Sequence, residues 1–283
     1  MKRILGIVAS PRKQGNCEIL TKVIMEAAGP DNLLEMIRLT DLDIKGCRAC
    51  YSCLPDDAAC VIDDDLGFLL EKVRSADAVV IAAPCYILGP NASIKKLQDR
   101  FVSIGNKYGQ FAGKPCVTVT AYGAPDWEGY TEQALNLTAR FLNLRLVDSG
   151  VFFGAHPAEV IEKPADLQRA RQLGKALFDP DYKRTAKASE CPVCWSDILK
   201  YDGDKVVCPF CGTRGEIKVE GEKAGLSFYP EEHHRFTDEG RTHHFDTYLN
   251  SKKQEFLNKR KHYKELQVPY RDTNYWVAPD KKD

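Results

Sequence analysis

Residues 4–17 read ILGIVASPRKQGNC, an apolar strand that runs into a polar loop containing Arg12 and Gly15. Helical periodicity follows at once and predicts a helix over residues 17–28, with Asn16 as its N-cap. This order of elements is typical of an anion site, because backbone N–H groups and the Arg12 guanidinium would face one phosphate. A plain strand-to-helix turn with a surface arginine is the competing interpretation of the motif taken alone.

The alternation of strands and helices continues to about residue 178. The run AVVIAA at residues 78–83 is the most apolar, so it should be the central strand. The predicted strands are 4–9, 33–39, 78–83, 116–120 and 144–153, and the predicted helices are 17–28, 64–75, 93–104, 131–142 and 164–178. This pattern predicts an α/β fold with a doubly wound, five-stranded parallel sheet. No strand is followed by G-x-G-x-x-G, so a Rossmann dinucleotide site is not predicted.

Charge and hydropathy exclude several classes of protein. The chain has 40 Lys and Arg residues against 40 Asp and Glu residues, and this neutral balance argues against a nucleic-acid partner. The longest nearly apolar run, residues 78–88, is too short to span a bilayer, and the N-terminus lacks the pattern of a signal peptide. We therefore expect a cytoplasmic protein without a membrane partner, in which clustered cysteines are metal ligands rather than disulfides.

Two loops in combination resemble the flavodoxin-like NADPH-dependent FMN reductases. The first loop of that family reads G-S-P-R-x-x-G-N-[ST], and here Ala9 replaces its first glycine and Cys17 its last hydroxyl residue. The second, S-P-V-Y followed by L-K-x-x-x-D-R, is similar to residues 83–86 and 94–100. The resemblance covers roughly residues 1–178 and implies a bound FMN. It also implies flavin-borne chemistry with no catalytic side chain.

The resemblance also implies the residues of the FMN site. Those that would hold the phosphate are Ser10, Arg12, Gly15, Asn16 and Cys17. Those that would lie against the ring are Pro84, Cys85, Tyr86 and Ile87, with Gly123 from a third loop that matches the family less closely. The thiol of Cys17 is a poorer donor than the hydroxyl it replaces, so one phosphate contact should be weakened.

A compact cysteine array follows the second predicted strand. Its spacing is C-x2-C-x2-C-x6-C, and its members are Cys47, Cys50, Cys53 and Cys60. Four thiolates this close can wrap one [4Fe–4S] cluster, and the array is similar to the motif of the iron–sulfur flavoproteins, a branch of the same family. A loop after a parallel strand lies at the carboxyl edge of the sheet, so we expect the cluster beside the flavin. Bound zinc, unmetallated thiols and a redox disulfide are the alternatives.

A second cysteine array lies far downstream and has a different pattern. Two CPxC pairs flank a short hairpin that should turn at residues 202–203, and the four cysteines are Cys191, Cys194, Cys208 and Cys211. This spacing predicts a zinc ribbon. Trp195 replaces the glycine that follows each pair in rubredoxin, so structural zinc is favoured over redox iron. About forty residues cannot bury a useful core, and the metal should therefore supply the folding energy.

The composition divides the chain into four parts. They are an FMN domain over 1–179 with the cysteine loop 47–60, a polar linker over 180–189, the ribbon over 190–220, and a helical, aromatic tail over 221–283 with a helix near 247–266. The histidine pairs 233–234 and 243–244 could bind metal, but solvated or aromatic-packed imidazoles are favoured. The basic run 259–261 is interpreted as a solvated helix face.

These features predict a redox flavoprotein with FMN, a [4Fe–4S] cluster and zinc, which passes electrons between a one-electron carrier and an acceptor reduced by flavin. The donor would be a ferredoxin-type protein or NAD(P)H, although no nicotinamide site is evident in the sequence. The first alternative is an NAD(P)H-dependent FMN or quinone reductase without a cluster. The second is a zinc-ribbon binding protein with a degenerate flavin domain. Relatives pair across the flavin, so the resemblance also implies a homo-oligomer.

Overall fold

The apolar strands of the first half of the chain form one twisted parallel sheet in the computed structural model, which describes residues 1–54, 58–105, 107–220, 223–230, 234–271 and 275–277. The strands are β1 Arg3–Val8, β2 Leu33–Arg38, β3 Ala78–Tyr86, β4 Gly89–Pro90, β5 Pro115–Tyr122 and β6 Arg145–Phe153. The order β2-β1-β3-β5-β6 is that of a flavodoxin-like doubly wound sheet, and β4 adds a short antiparallel pair to β3. The predicted fold class and the central place of β3 are confirmed.

Helices cover both faces of this sheet. They are α1 Asn16–Ala27, α2 Leu66–Ser75, α3 Ala92–Asp99, α4 Thr131–Phe141 and α5 Pro164–Ala176. One core joins α1 and α5 to the sheet, and the other joins α2, α3 and α4 to its opposite face. Gly174 allows α1 and α5 to touch, because a Cβ there would lie 2.1 Å from the carbonyl oxygen of Ile24. These cores fix the carboxyl ends of β1, β3, β5 and β6 side by side.

The predicted N-cap of the first helix and the predicted C-terminal end of the third are wrong. The first helix begins at Asn16, and Gly15 is its N-cap, so Asn16 is not the cap. The Asn16 side chain instead donates to the carbonyl oxygens of Gly154 and His156, at 2.9 and 3.0 Å, and thus ties α1 to the loop after β6. The helix predicted over 93–104 ends as an α-helix at Asp99 and continues as a 3-10 turn over Phe101–Ile104.

The C-terminal part forms a second, antiparallel sheet. Its strands are β7 Lys200–Asp202, β8 Lys205–Val207, β9 Arg214–Glu220 and β10 Lys223–Phe228, in the order β10-β9-β8-β7. Asp202 pairs with Lys205, so the predicted hairpin exists and turns at residues 203–204, one residue later than expected. The strands β9 and β10 were not predicted, although Ile217 and Val219 in β9, and Leu226 and Phe228 in β10, occupy the alternate positions typical of a strand. The tail contains α6 Asp238–Thr242, a π-helix His243–Leu249, α7 Asn250–Leu266 and α8 Val268–Arg271.

The segment predicted as a linker packs against the first sheet. Arg184 makes an ion pair with Asp148 of β6 at 3.2 Å and a two-fold hydrogen bond with Glu190 at 2.9 and 3.0 Å. The Trp195 indole is buried in the core beside α4, and the Arg184 guanidinium lies 4.3 Å from its ring centroid. The cysteine-rich module is therefore docked along α4. Within the described part of the chain, no helix is both long and apolar enough to cross a bilayer.

Candidate functional site

One cleft of about 430 Å³ lies at the carboxyl ends of β1, β3, β5 and β6. Open parallel sheets bind ligands at this edge, where the strand order reverses. All ten residues predicted for the FMN site line the cleft: Ser10, Arg12, Gly15, Asn16, Cys17, Pro84, Cys85, Tyr86, Ile87 and Gly123. Positions more than a hundred residues apart in the sequence thus meet around one space.

The N-terminus of α1 opens into this cleft. The first-turn N–H groups of a helix have no carbonyl partner within the helix, and they give this end a partial positive charge. Gly15 lets the loop fold tightly, since a Cβ there would lie 3.2 Å from the Arg12 Cβ and 3.3 Å from its carbonyl oxygen. Arg12 is exposed and donates weakly to the carbonyl oxygen of Ala155, at 3.4 Å. The loop therefore has the donors and the charge that a phosphate requires.

Arg38, at the end of β2, holds this loop in place and was not identified from the sequence. Its Nη1 donates to the carbonyl oxygens of Ser10 and Arg12, at 2.7 and 3.1 Å, and its Nη2 donates to Glu18 at 2.6 Å. The side chain is only 16% exposed. The pKa of Glu18 is lowered to about 2, mainly by the hydrogen bond from Lys22 and then by that from Arg38. Arg38 neutralises Glu18, which would otherwise oppose an anion in the loop.

Two of the predicted phosphate residues have roles different from those expected. The side-chain amide of Asn16 is engaged by Gly154 and His156, and its Oδ1 accepts from the N–H of Val160 at 3.5 Å, so it is not a side-chain donor to the cleft. Burial raises the pKa of the Cys17 thiol to about 12, so this sulfur stays neutral. Both residues can still offer backbone N–H groups, because they lie in the first turn of α1.

The opposite wall of the cleft is apolar and conformationally constrained. Ile87 and Leu88 both have left-handed backbone angles, with φ of 50° and 64°, which is uncommon for an isoleucine. The Tyr130 N–H donates to the Leu88 carbonyl oxygen at 2.9 Å, and the Cys85 thiol contacts the Trp127 carbonyl oxygen at 3.0 Å. The loops after β3 and β5 thus brace each other. This bracing presents exposed apolar side chains, including Ile87 and Trp127, at the mouth of the cleft.

The loop after β6 completes the cleft and was missed by sequence reasoning. Its lining residues, which had not been predicted, are Gly154, Ala155 and Pro157, whereas Ala121, Tyr122, Ala124 and Trp127 belong to the predicted third loop. Glu159 shapes this loop by accepting from the N–H groups of Ala155 and His156, at 2.8 and 3.0 Å, and the hydrogen bond from His156 is the main cause of its lowered pKa. The parallel topology could have predicted this contribution, because the fifth strand of such a sheet ends at the same edge as the other strands.

The four cysteines of the first array line a separate cavity of about 80 Å³. Cys47 and Cys50 are exposed, Cys53 is buried and Cys60 is intermediate. Beneath them lies Arg100, the arginine of the second family-like loop. This arginine is buried, donates to the Cys60 sulfur at 3.2 Å and to the Lys45 carbonyl oxygen at 2.8 Å, and is ion-paired with Asp64. A cationic group is thus fixed against a thiol-lined space.

The backbone around these thiols is strongly curved. Ala49 and Tyr51 have φ of 50° and 54°, so the chain turns between successive cysteines. A hydrogen bond with Ser52 lowers the pKa of Cys50, whereas burial raises that of Cys53. The four sulfurs do not gather within 4.8 Å of one another, as the ligands of a single metal ion would. The cavity and the flavin-type cleft share no lining residue, and α3 runs from the loop after β3, which lines the cleft, to Arg100, which lines the cavity.

The second cysteine array has the geometry of a mononuclear metal site. The sulfurs of Cys191, Cys194, Cys208 and Cys211 all lie within 4.8 Å of one another, and this is the one such group of three or more potential ligands within the described residues. The Cys191–Cys211 and Cys194–Cys208 sulfur distances are 3.5 and 3.4 Å. A tetrahedral zinc site with 2.3 Å bonds has sulfur–sulfur edges of about 3.8 Å. The array can therefore hold one ion with little adjustment.

Equivalent turns shape both halves of this array. The N–H groups of Trp195 and Gly212 donate to the carbonyl oxygens of Cys191 and Cys208, at 2.8 and 2.9 Å, and both residues have left-handed φ, 61° and 86°. Trp195 adopts the angle that usually favours glycine because its indole is held in the core beside α4. Arg140 of α4 donates to the Val193 carbonyl oxygen at 2.8 Å, and burial lowers its pKa although the nearby cysteine sulfurs act in the opposite direction.

Comparison with known proteins agrees with this geometry. The sequence profile of the family described as NADPH-dependent FMN reductase matches residues 2–158. An iron–sulfur flavoprotein of Methanosarcina thermophila is 30% identical over 182 residues, which cover 62% of this chain and 94% of the relative. Flavone synthase cfoJ of Aspergillus candidus is 26% identical over 266 residues, 80% of this chain and 81% of the relative.

Among solved structures, one described as a flavone reductase has a TM-score of 0.76 at 23% sequence identity, covering 98% of this chain and all of that chain. This likeness shows that the shared fold extends through the cysteine-rich module and most of the tail. The profile match covers more than half of the chain, and the iron–sulfur flavoprotein is matched over nearly its whole length. The chain therefore belongs to the NADPH-dependent FMN reductase family, in its iron–sulfur flavoprotein branch, and is an FMN-dependent oxidoreductase.

Proposed function

We propose that FMN lies in the 430 Å³ cleft with its phosphate at residues 10–17 and its ring against residues 84–87 and Gly123. The observation that carries this proposal is the meeting, in one cleft, of a helix N-terminus, an arginine and an apolar wall. A helix N-terminus favours a phosphate, and an apolar wall favours a flat aromatic ring. The cleft is open on one side, which leaves room for a second reactant.

Bound FMN would supply exchange of one or two electrons, and the chain's own residues position and insulate it. Arg38 fixes the carbonyl groups of the phosphate loop, so that its N–H groups keep facing the cleft. The neutral Cys17 thiol adds no negative charge near the phosphate. The braced loops after β3 and β5 form a rigid apolar platform that restricts access of water to the ring.

For the first cysteine array we propose a [4Fe–4S] cluster. Four thiols around one cavity beside a buried arginine form a suitable set, because a cubane carries net negative charge that a guanidinium can offset. Between the flavin loop and Arg100 lies α3, whose eight residues rise about 12 Å, so the flavin loop and the arginine beside the thiols stand at opposite ends of one short helix.

For the second array we propose structural zinc. The sulfurs are buried and are held by turns that dock on α4. From Tyr130 at the rim of the flavin cleft to Arg140 beside the sulfurs, α4 rises about 15 Å. Zinc has no redox chemistry, and a site of four cysteines leaves no open position for a substrate. The metal would therefore stabilise the module rather than take part in electron transfer.

The physiological role that follows is electron transfer from a one-electron carrier of the ferredoxin type, or from NAD(P)H, to a reactant in the open cleft.

A second candidate function is reduction of a flavone-like acceptor. It is favoured by the likeness to a flavone reductase across 98% of the chain and by the exposed apolar side chains of Ile87, Trp127 and Tyr130 at the cleft. A flat conjugated molecule could rest on these side chains. A homo-oligomer stays a prediction.

Protein purified without oxygen tests these assignments. We expect a flavin absorbance spectrum with broad additional visible absorbance and about four irons per chain. Cys50→Ala should lose the iron and the broad absorbance and keep the flavin bands. Cys116→Ala, which alters a buried cysteine outside both arrays, should keep both. A wild-type protein without iron would leave the cluster-free reductase as the better assignment, and a colourless protein would contradict the flavin site.

The acceptor is tested separately with FMN-loaded protein reduced anaerobically by light, with EDTA as the electron donor. Addition of a flavone should restore the absorbance of oxidised flavin and yield the corresponding dihydroflavone, two electrons and two protons being transferred per molecule. Trp127→Ala should slow this step, whereas Trp276→Ala, which removes an exposed tryptophan of the tail, should not. Reoxidation by a one-electron acceptor but not by a flavone would favour the electron-transfer role.

A further inference from the structure

A cavity of about 610 Å³ lies between the cysteine-rich module and the helical tail, away from both redox-type sites. It is lined by the second cysteine turn, by α6 and by the first residues of the π-helix. The ionisable side chains that line it, apart from the Cys211 thiol, are Arg214, Arg235, Arg241, His234, His243 and His244. None of its described lining residues is acidic, although the whole chain has equal numbers of acidic and basic residues. The cavity therefore concentrates positive charge.

Two of the arginines are held rigidly. Arg235 donates through Nη1 to the carbonyl oxygens of Pro209 and Phe210, at 2.8 and 2.9 Å. Arg241 is 4% exposed, donates to the Arg140 carbonyl oxygen at 2.6 Å and stacks between Tyr108 and Phe236. Its buried Nε has no hydrogen-bond partner within the described residues. A guanidinium has five N–H donors, so each group keeps donors beyond those that anchor it.

The histidines of the cavity do not form a metal site. Their ring nitrogens do not come together as a group of three potential ligands within the described residues. His244 is exposed and stacks on Tyr248, with ring centroids 6.1 Å apart. Partial loss of hydration at its ring lowers its pKa, and the nearby Arg235 and His243 lower it further, as expected in a region of positive potential. Imidazole and guanidinium groups arranged in this way suit an anion rather than a cation.

We propose that this cavity binds a phosphate group of a small molecule at a site distinct from the flavin cleft. Arginine is the preferred partner of phosphate because its planar, paired donors match the oxygens. The position argues against a ligand that also touches the flavin. Phe141, the last residue of α4, lines this cavity, whereas Tyr130, just before α4, is hydrogen-bonded to Leu88, the neighbour of Ile87 in the flavin cleft. The eleven residues of α4 rise about 16 Å between them.

The ligand would bridge the cysteine-rich module and the tail. Arg214 and Gly212 belong to the module, and His243 and His244 belong to the tail. The tail is also anchored by Phe245, since a Cβ on Gly105 would lie 2.1 Å from its ring. A bound phosphate would neutralise the facing cations and should therefore tighten the contact between these two parts.

Titration calorimetry with inorganic pyrophosphate tests the site, with protein saturated with FMN so that the flavin phosphate loop is not available. At constant ionic strength we expect saturable binding of one pyrophosphate per chain. Arg214→Gln should weaken it at least tenfold, the loss expected for one charge-assisted phosphate contact. His244→Gln should weaken it at low pH, where the imidazole is charged. Arg260→Gln, which removes an exposed arginine of α7 outside the cavity, should leave binding unchanged.

Folding is checked in each variant by the flavin spectrum and by metal content, neither of which should change. Absence of saturable binding by the wild-type protein would overturn the proposal. So would equal weakening in Arg214→Gln and Arg260→Gln, which would indicate attraction by diffuse charge alone. Wild-type affinity in both Arg214→Gln and His244→Gln would place any pyrophosphate elsewhere and would also overturn it.

Discussion

Replacing Arg38 with alanine should loosen the phosphate loop and weaken FMN binding, although Arg38 does not line the cleft. Its guanidinium makes three hydrogen bonds, two to carbonyl oxygens of the loop and one to the Glu18 carboxylate. With this side chain only 16% exposed, water cannot fully replace these bonds. Their loss would leave the Ser10 and Arg12 carbonyl groups without their cationic partner.

The magnitude follows from these contacts. A hydrogen bond that involves a charged group contributes about 1.5–3 kcal/mol, and bonds within one network are not additive. In the variant, Glu18 still accepts hydrogen bonds from the Lys22 ammonium at 2.7 Å and from the Gln14 N–H at 2.9 Å, so the lost Arg38–Glu18 bond contributes less to the destabilisation. We therefore expect a decrease of about 3 kcal/mol in the free energy of unfolding. FMN affinity should fall by roughly ten- to a hundredfold, because a mobile loop must be ordered on binding.

Urea unfolding and fluorescence titration with FMN measure the two effects. Arg3→Ala is the matched control, since Arg3 lies on the neighbouring strand, is 39% exposed and pairs with Glu35 at 3.5 Å. A surface pair of this kind contributes at most about 1 kcal/mol. Arg38→Lys should recover only part of the loss, because one ammonium cannot reproduce the forked donor geometry. Wild-type FMN affinity in Arg38→Ala would refute the reasoning.

Three further predictions concern the phosphate loop and the metal module. Arg12→Ala should weaken FMN binding by about 1.5–3 kcal/mol through loss of a charge-assisted phosphate bond, and unchanged affinity in the same titration would contradict the assignment. The pKa of Glu18, lowered from 4.5 to about 2, gives stability that is complete above pH 4.5 and is lost as the pH falls toward 2. Between these pH values the free energy of unfolding, measured with urea, should therefore fall by about 2 kcal/mol less in Glu18→Gln than in the wild type. Parallel pH profiles of the two proteins would show that the ionised Glu18 does not stabilise the fold. Cys208→Ser should release the bound zinc and destabilise the module while the flavin spectrum persists. Metal analysis checks this, with Cys116→Ala as a zinc-retaining control, and iron in place of zinc would favour a rubredoxin-like site.

Local sequence patterns were sufficient to predict the sheet and both cysteine arrays. The apolar runs of β1, β3 and β5 are buried on both faces, and a continuous apolar run has few other places in a soluble fold. The paired CPxC spacing predicts a ribbon because the turn geometry is encoded within five residues, as the hydrogen bonds after Cys191 and Cys208 illustrate. The ten residues predicted for the flavin site lie around one cleft for a related reason, since the edge of a parallel sheet gathers the loops that follow its strands.

Contacts between distant segments could not be predicted in this way. The sequence suggested Asn16 as a helix cap, but its amide is used by Gly154 and His156, which are brought near only when β6 joins the sheet. Arg38 appeared to be an ordinary charge at the end of a strand, and its role depends on three partners that lie 20 to 28 positions away. The polar segment 180–189 had the composition of a linker, yet Arg184 pairs with a buried carboxylate of β6 and covers the Trp195 ring.

The sequence by itself therefore determined which segments form the parallel strands, which loop could bind an anion, and which eight thiols could bind metal. Each of these features depends on periodicity or spacing within one short segment. Only the tertiary structure decided how these parts are joined. It docked the cysteine-rich module on α4, separated the two thiol sites from the flavin-type cleft and assembled a basic cavity from Arg214, Arg241 and His244. The physical reason is that buried ion pairs and charged cavities depend on which surfaces meet, and a linear pattern does not specify those meetings.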